Sequence, residues 1–363
     1  MTTQFFVAAP DLPPPAGETG IFRWIRLSFF NGIGNSILTL LGLYFIFSIS
    51  GPILSWFVLD AVYVGDSSVC NAAGGACWSF AWAHMDLFLF GSFPRDLLWR
   101  PILAGALLSI TFTLTAARII SVPAMALSWL VLILVSYWLF AGGFGLEAVS
   151  STKWGGLMLT LMLSVVGIIF SIPIGILMAL GRRSKIGVVS FLSITLIEGI
   201  RGIPLVTILF MATILLPLFL PEGTDLGTVF RVQIGIVLFS TAYIAEVVRG
   251  GLQGLDSGQQ EAADSLGLSG WKSTVLIILP QALANVLSPL IGRCIALLKD
   301  TSLVIVVGLL DFLGIARAAS QNAQWLGFEA EAFLFCALVY WTMCFGLSRY
   351  GRSLEQISAT KKR

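Results

Sequence analysis

Eight apolar stretches govern what this chain can become. They fall at about residues 33–59, 101–120, 124–146, 155–181, 187–220, 228–249, 281–310 and 331–349. Roughly 20 residues of α-helix cross the ~30 Å hydrocarbon core of a bilayer. A helix satisfies its own backbone hydrogen bonds at that depth, where no water can do so. The expected fold class is therefore an all-α membrane protein with about eight transmembrane helices. Composition agrees: 57% of the 363 residues are hydrophobic, only 11% are charged, and the mean hydropathy is +0.93. That is too little charge for a soluble domain of this length. The fifth and seventh stretches are too long for one straight span, so breaks are expected at Gly202–Pro204 and around Asp300.

Charge placement sets the orientation, because lysine and arginine collect on the cytoplasmic side. With the N-terminus inside, Arg23, Arg26, Arg118, Arg182, Arg183, Lys185, Arg249, Lys272, Arg349, Arg352, Lys361, Lys362 and Arg363 are cytoplasmic. Arg95, Arg100, Lys153, Arg231 and Arg317 are left outside, a thirteen-to-five division. Residues 1–30, with Pro10, Pro13, Pro14, Pro15 and Gly17, read as a flexible cytoplasmic arm without a cleavable signal peptide. Residues 31–150 hold three helices and an external segment at about 60–100, residues 151–350 the remaining five helices, and residues 351–363 a basic cytoplasmic tail. In the external segment, Trp78–Phe90 is aromatic enough to lie along the membrane surface as one interfacial helix, with His84 a surface aromatic. Cys70 and Cys77 flank a Gly-rich loop there and are either a disulfide, in an oxidising compartment, or two ordinary buried thiols.

A charge inside a bilayer costs at least ~2.5–3.5 kcal/mol, so it asks for a partner or a wet cavity. Glu198, Arg201, Glu246, Lys299 and Asp300 fall in apolar stretches. Glu198 and Arg201 are three apart and share a helix face; beside the Gly202–Pro204 break they suit a structural or gating role. Glu246 and Arg249 lie one turn before the loop at 250–280 and brace it. Lys299, Asp300 and Thr301 complete the candidates. In a translocation path, such opposite charges complement a zwitterionic solute.

The segment from Gly250 to Pro280 reads as a helix, a glycine turn and a second helix. Asp256 or Ser257 caps the first helix, Gly267 ends it in a left-handed conformation, and Leu268 and Trp271 are apolar knobs. Glu261, Ala262, Ala263, Gly267, Ile277, Leu279 and Pro280 reproduce EAA-x3-G-x9-I-x-L-P. The pattern resembles the cytoplasmic loop signature of permease subunits of bacterial ABC importers. Residues 198–205 (EGIRGIPL) resemble the E-x-x-R-G-T-P-L stretch of polar amino-acid permeases, with Ile203 in place of threonine and Pro204 retained. Residues 242–251 (AYIAEVVRGG, with Tyr243 and Glu246) and 295–303 (IALLKDTSL) resemble two further runs of that family. The extra N-terminal helices resemble the larger permeases of general L-amino-acid import systems.

The resemblance implies a type I ABC importer permease fold, with a five-helix core and extra N-terminal helices, in the bacterial inner membrane with both termini cytoplasmic. It implies transport of polar or broad-range L-amino acids. The partners it implies are two copies of an ATPase subunit, a periplasmic amino-acid-binding protein, and a second, related permease in preference to an identical copy. Glu261, Ala262, Ala263, Gly267, Leu268 and Trp271 would form the coupling helix gripped by the ATPase. No G-x-x-x-x-G-K-[ST] occurs, so ATP and magnesium are expected on the partner, and neither an enzyme, a metal site nor nucleic-acid binding is expected of this chain. The alternative is an ion-coupled secondary transporter, which also uses broken helices and membrane charges.

Overall fold

Proline and glycine punctuate the apolar runs into 17 α-helices in the computed structural model, which describes residues 20–361 apart from 222 and 225. Among the described residues the only β-pairing is in isolated bridges. Residues 1–19 of the expected arm, and Lys362 and Arg363 of the tail, lie outside the described residues; residues 21–29 of the arm form a helix. The chain divides into two compact units, one up to Ser79 and one from Phe80 onward.

In the first unit, α1 (Ile21–Phe29) turns through Gly32 into α2 (Ile33–Leu54), and Pro52 precedes a π turn at Ser55–Leu59. Asp66 caps α3 (Ser67–Ala73): it accepts from the Ser68 hydroxyl at 2.7 Å and from Val69 N–H at 3.2 Å. Those bonds hold its carboxyl below the usual range. Cys70 and Cys77 are joined as a disulfide. The linked loop closes on the end of α2: Ala76 N–H donates to Trp56 O at 2.8 Å and the Trp78 indole to Phe57 O at 3.1 Å. At Gly75 a Cβ would stand 2.0 Å from Asp60 O, so only glycine fits. Replacing both cysteines with serine is expected to loosen this small loop by ~2–3 kcal/mol. The check is limited proteolysis: cleavage between residues 60 and 77 should accelerate while the membrane helices stay intact.

Next along the chain, α4 (Trp78–Ala83) and α5 (Met85–Phe90) break at His84, which corrects the single interfacial helix read from sequence. Phe80 and Phe88 are fully buried. Phe80 stacks on Phe328, Phe88 lies 5.0 Å from Phe335, and His84 is half-buried between Phe80 and Trp325. The aromatic run is therefore core, and His84 is part of it rather than a surface side chain.

Helices α6 (Trp99–Ala117) and α7 (Val122–Ala141) carry Pro101 and Pro123 in their first turns, where a missing N–H leaves no intrahelical bond unmade. The Arg100 guanidinium, almost fully buried, donates to Glu147 O at 2.7 Å and ties the start of α6 to the loop after α7. Next come α8 (Gly156–Arg182), α9 (Gly187–Arg201), α10 (Leu205–Phe210) and α11 (Thr228–Gln253). The core is α8 against α11. In lipid this contact rests on close packing of small residues, since there is no hydrophobic force between helices. A Cβ at Gly175 would come within 2.7 Å of Ile244, and one at Gly167 within 3.2 Å of Ile236.

The chain continues through α12 (Gly258–Ser265), α13 (Gly270–Ser273), α14 (Leu279–Asn285), α15 (Leu287–Asp300), α16 (Phe312–Ser320) and α17 (Glu329–Lys361). Among the described residues, six helices are long and apolar enough to cross a membrane, and two bent pairs bring the number to eight. The first pair bends by 109° between Arg201 and Leu205, at the expected break, where Pro204 denies the backbone a donor. The second bends by 66° between Asn285 and Leu287, not around Asp300. Pro289 explains this correction: its ring would collide with the carbonyl of the residue four earlier, Asn285, so the helix breaks there. At Asp300 the helix does not break but tightens into a 3-10 segment, Thr301–Val307.

Candidate functional site

Two groups of residues sit close together in the chain's most polar region. The first is the loop after α11. Asp256 Oδ1 accepts from Gly258 N–H at 2.9 Å and starts α12, while the Ser257 side chain makes no capping bond. Gly267 ends the helix at φ +72°. Its N–H donates to Asp264 O and Leu268 N–H donates to Ala263 O, at 3.0 and 3.1 Å, the paired closure that a left-handed glycine permits. Ala263 alone of the triad is buried; Glu261 and Ala262 face outward. Behind α12, Gln281 donates to Gln259 Oε1 at 3.1 Å and the Ser273 hydroxyl to Gln260 Oε1 at 3.2 Å. None of these four positioning residues is among the candidates named from the sequence.

The loop is thus braced from behind and bare in front. Leu266 is 77% exposed and Trp271 67% exposed, with Leu276 beside them and Leu268 half-buried. Large apolar side chains left open on a rigid platform mark a surface that another protein covers.

The second group is a belt of charge. The Arg182 guanidinium, at the end of α8, donates to Glu198 of α9 at 2.6 Å and lies 3.9 Å from Glu246 of α11. Arg201 lies 3.3 Å from Glu246 and 3.5 Å from Glu198, and Arg249 donates through two nitrogens to Glu246. Three arginines therefore share two carboxylates, and Glu246 touches all three. The belt is level with the ends of α8 and α11, on the side of the membrane where α12 emerges. Arg183 reinforces it by donating to Leu252 O at 3.4 Å. Glu198 and Arg201, which share a helix face, lie within 3.5 Å, and Glu246, expected to brace the loop with Arg249, joins side chains from three helices. Arg182 was read only as an orientation charge, because nothing local shows that α9 folds back across it.

One turn earlier on α11, Tyr243 is held between two cations. The Arg293 guanidinium lies 4.4 Å from its ring centre and that of Arg201 5.9 Å. Arg293 reaches Asp300 at only 4.0 Å, and its Nε and Nη2 are buried without an acceptor among the described residues. Arg293, which the sequence reading passed over, thus joins the candidates Tyr243 and Asp300. Lys299 points away, exposed and with no ion pair among the described residues. Thr301 is buried and its hydroxyl donates to Leu298 O, and Pro204 sits at the start of α10. Neither enters the belt. Among the described residues no cluster has the donors to hold a metal.

Comparison with known proteins places the chain among transport permeases. Residues 171–356 match the family described as "Binding-protein-dependent transport system inner membrane component". The chain is 41% identical over 357 residues to the inner membrane amino-acid ABC transporter permease protein YhdY of Escherichia coli (strain K12), covering 98% of this chain and 97% of that protein. It is 34% identical to the glutamate/glutamine/aspartate/asparagine transport system permease protein BztC of Rhodobacter capsulatus, over 95% of each chain. A crystal structure of an amino acid ABC transporter with histidines aligns with 55% of this chain and 91% of its own, at 30% identity and a TM-score of 0.49.

Proposed function

Because this chain belongs to the binding-protein-dependent transport system inner membrane component family, as a multi-pass amino-acid ABC transporter permease, we infer that it is driven through α12 by an ATPase on a separate chain. The reading rests on one observation: a helix ended by a left-handed glycine, braced by Gln281 and Ser273, presents Leu266 and Trp271 to solvent with nothing among the described residues to cover them. Glu261, Ala262, Gly267 and Leu268 complete the face. Ala263 is the pin that fixes it to the bundle. Two ATPase copies close on ATP, push on this helix and on its equivalent in a related second permease, and the movement passes into α11 through the charged belt. A periplasmic binding protein delivers the amino acid to the opposite face. Both termini are cytoplasmic, on the side of α12. The ion-coupled alternative has no support from the family.

The experiment is site-directed crosslinking from cysteines placed at Leu266 and Trp271 in membranes holding the full transporter. Crosslinks to the ATPase subunit, with a yield that changes on adding ATP, are expected. A product only with lipid or with the binding protein sinks the assignment.

Arg293 and Asp300 supply the charges for the solute itself. An arginine whose buried N–H groups lack acceptors retains donors for a carboxylate, and Asp300 answers an ammonium group. Solutes carrying a second carboxylate suit the Arg201–Arg293 pair best. Arg293→Gln is expected to raise KM for acidic amino acids by about tenfold or more, the scale of one charge-assisted hydrogen bond, with little change for neutral ones. Equal losses for both classes would take Arg293 off the second carboxylate and leave it either on the α-carboxylate common to all amino acids or in the fold.

A further inference from the structure

The α6–α7 hairpin meets α8 along a seam that is hollow. A cavity of about 260 Å³ runs along it, walled mainly by α6 from Pro101 to Leu108, α7 from Leu132 to Phe140 and α8 from Leu157 to Val166, with Leu89 and Phe90 of α5 beside them. The wall is aliphatic and aromatic, with the Ser136 hydroxyl as its polar contribution. A space without several polar partners does not hold ordered water, nor does it offer anything to the two charges of an amino acid.

Its position along the helices is informative. Pro101 is in the first turn of α6, Phe140 in the last turn of α7 and Leu157 in the first turn of α8, so one end is level with the loops at that side. Leu108, Leu132 and Val166, at the other end, are mid-helix. At ~1.5 Å per residue, each of the three wall segments is ~10–14 Å long. One leaflet of a ~30 Å hydrocarbon core is ~15 Å deep. The cavity therefore reaches from one membrane surface to the midplane and stops.

We propose that this cavity is a binding site for a single phospholipid acyl chain of that leaflet, seated between the α6–α7 hairpin and α8. Three of the four helices that line the seam, α6, α7 and α8, are long and apolar enough to span the membrane, and Leu89 and Phe90 of α5 add only apolar surface, so the medium that meets it is hydrocarbon. The bound chain completes packing that the side chains leave undone, and it joins the extra helices to the transport core. Gly105 keeps the groove open: a Cβ there meets nothing within 4 Å. This inference is independent of how the ATPase docks or what solute is carried.

The test uses the full-length protein in lipid nanodiscs containing a phosphatidylethanolamine with a diazirine midway along one acyl chain. After photolysis, label is expected to concentrate on Met158 and Met162 over Leu134, an exposed position on α7. Gly105→Leu, which fills the groove without a clash, is expected to reduce that label by about tenfold, equivalent to roughly two displaced methylene groups. Leu134→Phe should leave it unchanged. Label spread evenly over the exposed apolar faces of the wild-type protein would overturn the proposal, as would full labelling of Gly105→Leu. Should that variant fail to accumulate, the wild-type map decides alone.

Discussion

Replacing Glu246 with alanine is expected to abolish uptake and to lower the apparent thermal midpoint in detergent by on the order of 10 °C. Glu246 is three-quarters buried and is the carboxylate that Arg182, Arg201 and Arg249 all reach. Removing one partner from a fully buried ion pair costs about 3–5 kcal/mol; the belt is partly open to solvent, with its arginines 21–31% exposed, so the lower end of that range applies. Here three guanidinium groups would be left with Glu198, which is half-exposed and already engaged. Repulsion would then push apart the ends of α8, α9 and α11. Glu246→Gln should recover part of the stability, since the amide still accepts hydrogen bonds, yet it should stay defective in transport if the belt relays motion. The measurement is fluorescence-detected size exclusion after heating, run beside uptake. A midpoint within a degree or two of wild type in the alanine variant would show that the belt is not a structural centre.

The second large effect is expected at the exposed loop. Leu266→Glu and Trp271→Glu should each weaken ATPase association by about 30-fold or more, matching the ~2 kcal/mol lost when a central interface anchor is removed. Uptake should fall in step. Both side chains are mostly exposed, so the permease should insert and melt as wild type, a split that separates a docking defect from a folding one. Gly267→Val attacks the same surface from beneath. At φ +72° a β-branched residue is strained, so the end of α12 should unwind and carry Leu268 and Trp271 out of register. ATPase pull-down from solubilised membranes distinguishes the outcomes, and normal recovery with all three variants would mean that the motor grips elsewhere.

How much of this was legible in advance depended on distance along the chain. The α12 turn was readable because a left-handed glycine and its two closing hydrogen bonds involve residues within five positions of one another. The bend at Pro204 was readable for the same reason. The second bend was misplaced because Asp300, a charge in an apolar run, drew attention away from Pro289, whose steric conflict with Asn285 is equally local. That signal was present and was missed. The belt is different in kind. Arg182 and Glu198 are sixteen positions apart on separate helices, and Arg293 reaches Tyr243 across fifty residues, so no spacing rule relates them.

Sequence by itself determined that the chain spans a membrane as a set of helices, where most of them begin and end, and that a short helix with a glycine stop stands outside them. Those outcomes follow from hydrocarbon's intolerance of unpaired backbone groups and from steric rules acting over a few residues. Only the tertiary structure decided which charges neutralise one another, that the aromatic segment around His84 is buried, and that a hollow remains between α7 and α8. Such facts depend on how helix faces meet, and in lipid that is settled by shape and small residues rather than by any pattern of apolar and polar positions.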